Sequence, residues 1–296
     1  MPRVIALMNQ KGGVGKTTTT VNLGAAIASA GKRVLLVDLD PQSHLTLHVG
    51  IDGGKLESTA YDLLLNNTVS AFEVVREVGE NLAAIPSEVG LAGAEPELAR
   101  LPDKHTRLKT KLDPLLDAFD YILIDCPPSL GLLTLNALAA AGEVIVPMQA
   151  HFLALQGLSK LLESVQLVRK KINPSLTVSG VVLAMHEGHT RLASEVVGDL
   201  ERFFDSARKF SLPWSHTVIF QPPIRRNIKL AECPSFGQTI FQYEPACPGA
   251  VDYRSLADSV MAAHGSKLTV QSSTSGAQGV SVTPVDISES TTAQAD

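Results

Sequence analysis

Lys11 and Lys16 stand in the glycine-rich run Gln10-Lys11-Gly12-Gly13-Val14-Gly15-Lys16-Thr17-Thr18. The chemistry such a run supports is the binding of phosphate. Its glycines let successive backbone N–H groups turn inward toward phosphate oxygens, and a helix beginning at its end adds a positive pole. Lys16 is placed to reach the terminal phosphates of a nucleotide, and the Thr17 hydroxyl to ligate Mg²⁺. Gly15-Lys16-Thr17 fits the ordinary phosphate-loop pattern G-x-x-x-x-G-K-[ST], but Gln10 occupies its first glycine position. Lys11, Gly12, Gly13, Val14, Gly15, Lys16, Thr17 and Thr18 form the expected nucleotide-binding set. Lys11 has no part in the ordinary pattern. It starts from the outer lip of the loop, so its side chain is expected to point away from its own nucleotide.

Acidic residues complete this constellation. Asp38 and Asp40 lie in Val37-Asp38-Leu39-Asp40-Pro41-Gln42, and Asp125 closes the apolar run Tyr121-Ile122-Leu123-Ile124-Asp125. Each therefore falls at the carboxyl end of a candidate strand, the edge where open α/β sheets bind their ligands. Any one of them alone reads as a turn cap. Together with the loop, Thr17, Asp38 and Asp125 form the expected Mg²⁺ set.

The elements that must position these groups are legible as short apolar runs separated by helical stretches. Residues 4–8, 34–37, 121–124, 143–146 and 178–184 read as continuous buried strands, the pattern of a parallel sheet covered on both faces. Helices are expected over 18–30, closed by Gly31, over 104–118, and over 155–171, stopped by Asn173-Pro174. This alternation predicts an α/β fold: a doubly wound, mostly parallel sheet with helices on both faces. The ordered domain is expected to span residues 1–264. Residues 265–296 are rich in Ser, Thr, Gly, Ala and Gln and lack aromatic residues, which predicts a disordered low-complexity tail.

Composition narrows the class. Hydrophobic residues make up 45% of the 296, enough for an enzyme-sized core, but no apolar run approaches a membrane span. The segment 4–8 is too short for a signal peptide. Cys126, Cys233 and Cys247 are sparse and unpaired in spacing, which favours free thiols in a reducing cytosol. The eight histidines form no metal-binding motif. A net charge of -5 argues against a basic nucleic-acid binder as a whole, yet leaves room for a local basic patch.

The run 11–18, the segment 38–42, Asp125-Cys126-Pro127-Pro128-Ser129, the segment 147–158 and the run 226–237 resemble the ParA/MinD family of deviant Walker-A ATPases, and within it the partition proteins. The resemblance covers residues 3–264. It implies an ATPase that uses ATP and Mg²⁺ and forms a homodimer around ATP. The ATP dimer would bind double-stranded DNA without sequence preference, and a ParB-type partner would stimulate hydrolysis in chromosome or plasmid partition. The catalytic residues it implies are Lys16, Lys11 acting across the dimer on the partner's ATP, and Asp40 orienting the attacking water. The implied location is cytoplasmic and nucleoid-associated, with no membrane contact.

The family's DNA-contacting region corresponds here to Arg191, Arg225, Arg226 and Lys229, with Arg202, Arg208 and Lys209 nearby. Three features depart from the family pattern. His151 stands where Glu is common, His189 where partition members often carry Arg, and 210–214 reads as a small insertion. A ParA-like positioner of another cargo would share every feature above. A MinD-like membrane switch would need a basic amphipathic C-terminal helix, whereas the tail has one lysine, Lys267, and no apolar stripe. A nitrogenase-iron-protein-like reductase would need two cysteines per subunit facing a shared cluster. No helix-turn-helix precedes Val4, which argues against the plasmid subtype that represses its own operon.

Overall fold

A computed structural model describes residues 2–151, 154–188 and 190–263. His189 and the tail 265–296 lie outside the described residues. The strands are β1 (Arg3–Leu7), β2 (Val34–Asp38), β3 (Arg76–Gly79), β4 (Leu82–Ile85), β5 (Tyr121–Asp125), β6 (Glu143–Met148), β7 (Thr177–Leu183) and β8 (Val218–Ile219). Among the described residues they form one eight-stranded sheet in the order β3-β4-β2-β5-β1-β6-β7-β8. All neighbours are parallel except β3 and β4. The doubly wound parallel architecture expected from the sequence is thus the one observed.

The helices on one face are α1 (Lys16–Ser29), α2 (His44–His48), α10 (Ile228–Glu232), α11 (Ile240–Tyr243) and α12 (Pro248–Ala262). The other face carries α3 (Ala60–Leu65), α4 (Ala71–Val74), α5 (Ala94–Leu98), α6 (Arg107–Leu112), α7 (Leu132–Ala140), α8 (Ala154–Lys171) and α9 (Arg191–Ala207). Side chains of a strand alternate between these layers, so Ile5 and Leu7 enter the first core while Ala6 enters the second. Every residue of β2, β5 and β6 is buried, which is why these strands read as unbroken apolar runs.

Helix α1 lies close against the sheet. A Cβ at Gly24 would sit 2.5 Å from Leu36 Cδ2, so a larger side chain there would push the helix off β2. Arg3 pairs with Glu143 at 2.9 Å and donates to Val260 O at 2.6 Å, binding β1, β6 and α12 together.

Two local expectations change. The helix expected over 104–118 is shorter, because Pro114 has no N–H to continue it, and a 3₁₀ turn, Asp113–Leu115, follows α6. The β3–β4 hairpin was not legible. Leu82-Ala83-Ala84-Ile85 carries helix-forming residues in a run of four, and only its place beside β2 makes it a strand. The segment 210–214 is a packed feature: Trp214 is buried in the core and Pro213 O accepts from Val178 N–H at 2.8 Å.

Candidate functional site

Strand β1 ends at Leu7, the chain turns through 8–15, and α1 begins at Lys16. The turn needs left-handed backbone at Gly13 (φ 71°) and Gly15 (φ 85°), conformations that cost other residues strain. Beyond their chain neighbours, no heavy atom lies within 4 Å of a Cβ built at Gly12 or Gly13, so both positions face open space. No acidic residue occupies the first turn of α1 to compete with an incoming anion.

The loop is braced from β6. Asn9 Nδ2 donates to Pro147 O at 2.8 Å, and Gln149 Nε2 donates to Gly13 O at 3.3 Å. Lys16 is 7% exposed, and its Nζ reaches back to Lys11 O at 3.4 Å, across the mouth of the loop. A long contact of this kind is readily exchanged for a phosphate oxygen.

Asp125 is fully buried beneath the start of α1. Thr17 Oγ1 donates to its Oδ2 at 2.6 Å, and Thr20 Oγ1 to its Oδ1 at 3.1 Å. Burial pushes the Asp125 carboxyl up to about 6, against the pull of the Thr17 hydrogen bond and the Lys16 charge. A hydroxyl beside a buried carboxylate offers the hard oxygen donors that Mg²⁺ takes, so these residues fit the metal that the sequence implies.

Asp38 is the register partner of Asp125 across β2 and β5. Both its oxygens are engaged by the protein. Asp40 N–H donates to Oδ1 at 3.1 Å, while Thr46 N–H and Thr46 Oγ1 donate to Oδ2 at 2.9 and 2.7 Å. Burial, then the neighbouring Asp125 charge, pushes its carboxyl up to about 7. Asp38 therefore organises the turn that carries Asp40. Asp40 itself is 9% exposed, and its Oδ1 accepts from Gln42 N–H at 3.0 Å. Lys11, on the exposed lip, has its Nζ 2.6 Å from His151 Nε2.

The basic residues divide. Arg225 is committed to Asp252 through Nε and Nη2, with Nη2 2.7 Å from Oδ1. The Arg225 side chain is nonetheless 55% exposed. Arg226 pairs with Glu187 at 2.6 Å and Lys229 with Glu232 at 2.8 Å, both on the surface. Arg191 is exposed at the start of α9, whose cap is Thr190, with Oγ1 accepting from Ala193 N–H. A parallel bridge between His186 and Arg225 sets the loop after β7 beside 224–226.

A cavity of about 280 Å³ opens beside the loop, lined by Gly15, Thr18, Met185, Ile224, Asn227 and Tyr253 among others. The sequence singled out Arg225 and Arg226 among its walls, though as DNA contacts, and did not show that α10, α12 and the stretches after β7 and β8 close one cavity with the loop. Thr20 was also missed, although its position three residues after Thr17 places both on one helix face.

A domain family described as an AAA domain matches residues 2–178. The sporulation initiation inhibitor protein Soj of Bacillus subtilis is 44% identical over 262 residues, covering 88% of this chain and 99% of that protein. The chromosome partitioning protein ParA of Myxococcus xanthus is 40% identical, over 88% of each chain. Among solved structures, a cobyrinic acid a,c-diamide synthase from Mycobacterium smegmatis with bound ATP analogue and magnesium superposes with a TM-score of 0.75. It is 35% identical, over 90% of this chain and 97% of that one.

Proposed function

This chain belongs to the ParA/Soj family of chromosome-partitioning ATPases, and on that premise we propose that it is an ATP-dependent dimerising switch acting in partition. In this reading ATP and Mg²⁺ occupy the 10–18 loop. The ATP-bound homodimer holds double-stranded DNA without reading sequence, and a ParB-type partner stimulates hydrolysis to ADP and phosphate. Its place is cytoplasmic and nucleoid-associated; among the described residues no helix is long and apolar enough to cross a membrane. A positioner of another cargo would use the same site.

The observation that carries the reading is the Thr17–Asp125 hydrogen bond beneath a glycine loop that ends in Lys16. Loop N–H groups and Lys16 bind the β- and γ-phosphates and take up charge that develops there during transfer. Thr17, oriented by Asp125, would hold the Mg²⁺, which would supply positive charge to the phosphate oxygens. Asp40, held by the turn that Asp38 organises, orients a water toward the γ-phosphate. Lys11 reaches the nucleotide of the second subunit. The cavity beside Thr18 takes the base, with Ile224 and Met185 as apolar walls. Arg191, Arg226 and Lys229 offer phosphate contacts to DNA, and Arg225, tied to Asp252 but 55% exposed, flanks them.

Replacing Lys16 tests the core of this reading. A charge-assisted hydrogen bond is worth about 1.5–3 kcal/mol, so Lys16→Gln is expected to weaken ATP binding about ten- to a hundredfold by calorimetry. Affinity within about threefold of the parent would refute the assignment.

A further inference from the structure

The Arg225–Asp252 pair is unlike the other surface ion pairs of this protein. The Asp252 side chain is 5% exposed, whereas the acidic partners of Arg226 and Lys229 are 54% and 37% exposed. Asp252 accepts four hydrogen bonds from one residue. Arg225 Nε donates to Oδ1 and Oδ2 at 3.2 and 3.0 Å, Nη2 to Oδ1 at 2.7 Å, and the Arg225 backbone N–H to Oδ2 at 3.1 Å. Nη2 also reaches Pro248 O at 3.4 Å, at the first turn of α12. A planar fork engaged this way fixes direction as well as distance.

What the fork fixes is a wall. Residues 220–227 connect β8 to α10 and are held on their other side by backbone pairing and by the Arg226–Glu187 ion pair. Ile224 N–H donates to Leu183 O at 2.8 Å, His186 N–H to Ile224 O at 2.8 Å, and Arg226 N–H to His186 O at 3.4 Å. Ile224 and Asn227, on this stretch, line the 280 Å³ cavity, and so does Tyr253, the residue after Asp252. Tyr253 is itself anchored, its hydroxyl 3.2 Å from Thr19 Oγ1 in α1. The ion pair therefore joins two walls of one cavity, while the phosphate loop forms the third.

We propose that Arg225 and Asp252 are positioning residues for the nucleobase end of the site: their pairing sets the separation between the 220–227 wall and α12, and so the fit of the adenosine moiety. The inference rests on the nucleotide reading given above. It assigns Arg225 to ligand fit through Asp252.

The test separates base binding from phosphate binding by comparing Mg²⁺-ATP with Mg²⁺-tripolyphosphate, which has phosphates and no base. Arg225→Met is expected to weaken ATP at least about tenfold while leaving tripolyphosphate within about twofold of the parent. Arg225→Met leaves a buried carboxylate unpaired and is liable to unfold. The double variant Arg225→Met/Asp252→Leu therefore accompanies it and is expected to show the same selective loss. Arg225→Lys keeps the charge without the fork and is expected to recover only part of the ATP affinity. An unchanged ATP affinity in a folded double variant would overturn the proposal, and so would parallel weakening of ATP and tripolyphosphate. A parent protein that binds neither ligand would overturn the nucleotide reading itself.

Discussion

Lys11 Nζ lies 2.6 Å from Nε2 of His151, joining the outer lip of the phosphate loop to the end of the stretch after β6. The ammonium can only donate, so Nε2 accepts and the facing tautomer carries its proton on Nδ1. Within a single chain the lysine thus rests on its own subunit. Lys11→Ala is accordingly expected to keep ATP affinity within about threefold and to lose ATP-dependent dimerisation. Light scattering with a non-hydrolysable analogue decides it, and a normal dimer from the variant would reduce Lys11 to a surface residue.

Asp40→Ala should hold the switch in its ATP state. Unaided hydrolysis in phosphate-loop proteins runs at about 10⁻⁴ to 10⁻² per second, and a positioned acid–base group contributes about a hundredfold or more. The variant is expected to bind ATP normally, hydrolyse it about a hundredfold more slowly, and accumulate as a dimer. Phosphate release at the parent rate would remove Asp40 from the mechanism.

The DNA surface is expected to behave as a counterion-release interface. Arg226 and Lys229 sit in exposed pairs with Glu187 and Glu232, and such pairs are worth about 0–1 kcal/mol, so phosphate oxygens can displace the carboxylates. With Arg191 they give about three contacts per subunit and about six per dimer, hence a log–log salt slope near about -5. Arg226→Glu with Lys229→Glu should abolish DNA binding and leave ATP-dependent dimerisation intact. Retention of plasmid DNA by that variant at about 100 mM salt would place the surface elsewhere.

His48 sets a pH dependence of stability. Burial lowers its pKa from 6.5 to about 4, with its Nε2 against Cys233 Sγ at 3.5 Å. Because the folded chain disfavours the charged ring, this contribution is full above pH 6.5 and is lost as pH falls toward 4. The span corresponds to about 3 kcal/mol. His48→Gln is expected to flatten the decline in urea-unfolding stability over that window relative to the parent. Asp38 and Asp125, raised by burial, slope the other way, losing stability as pH rises, and cancel in the comparison. An equal decline in both proteins would contradict the assignment.

The sequence by itself determined the central sheet and the phosphate loop. A strand buried on both faces must be apolar throughout, so β1, β2, β5, β6 and β7 announce themselves as runs. A loop that turns its amides inward must have glycine where φ is positive, so Gly13 and Gly15 mark the site wherever the chain is folded. Only the tertiary structure decided which charges remain available. Asp38 and Asp125 look alike as strand-end carboxylates, but the Thr46 and Asp40 donors close on one while Thr17 and Thr20 serve the other. Arg225 and Arg226 are adjacent in sequence and both exposed, yet one meets the buried carboxylate of Asp252 and the other the exposed carboxylate of Glu187. Such assignments depend on partners far along the chain, as Asp252 is from Arg225. Spacing records the residues a segment carries, whereas packing determines the acceptor each donor meets.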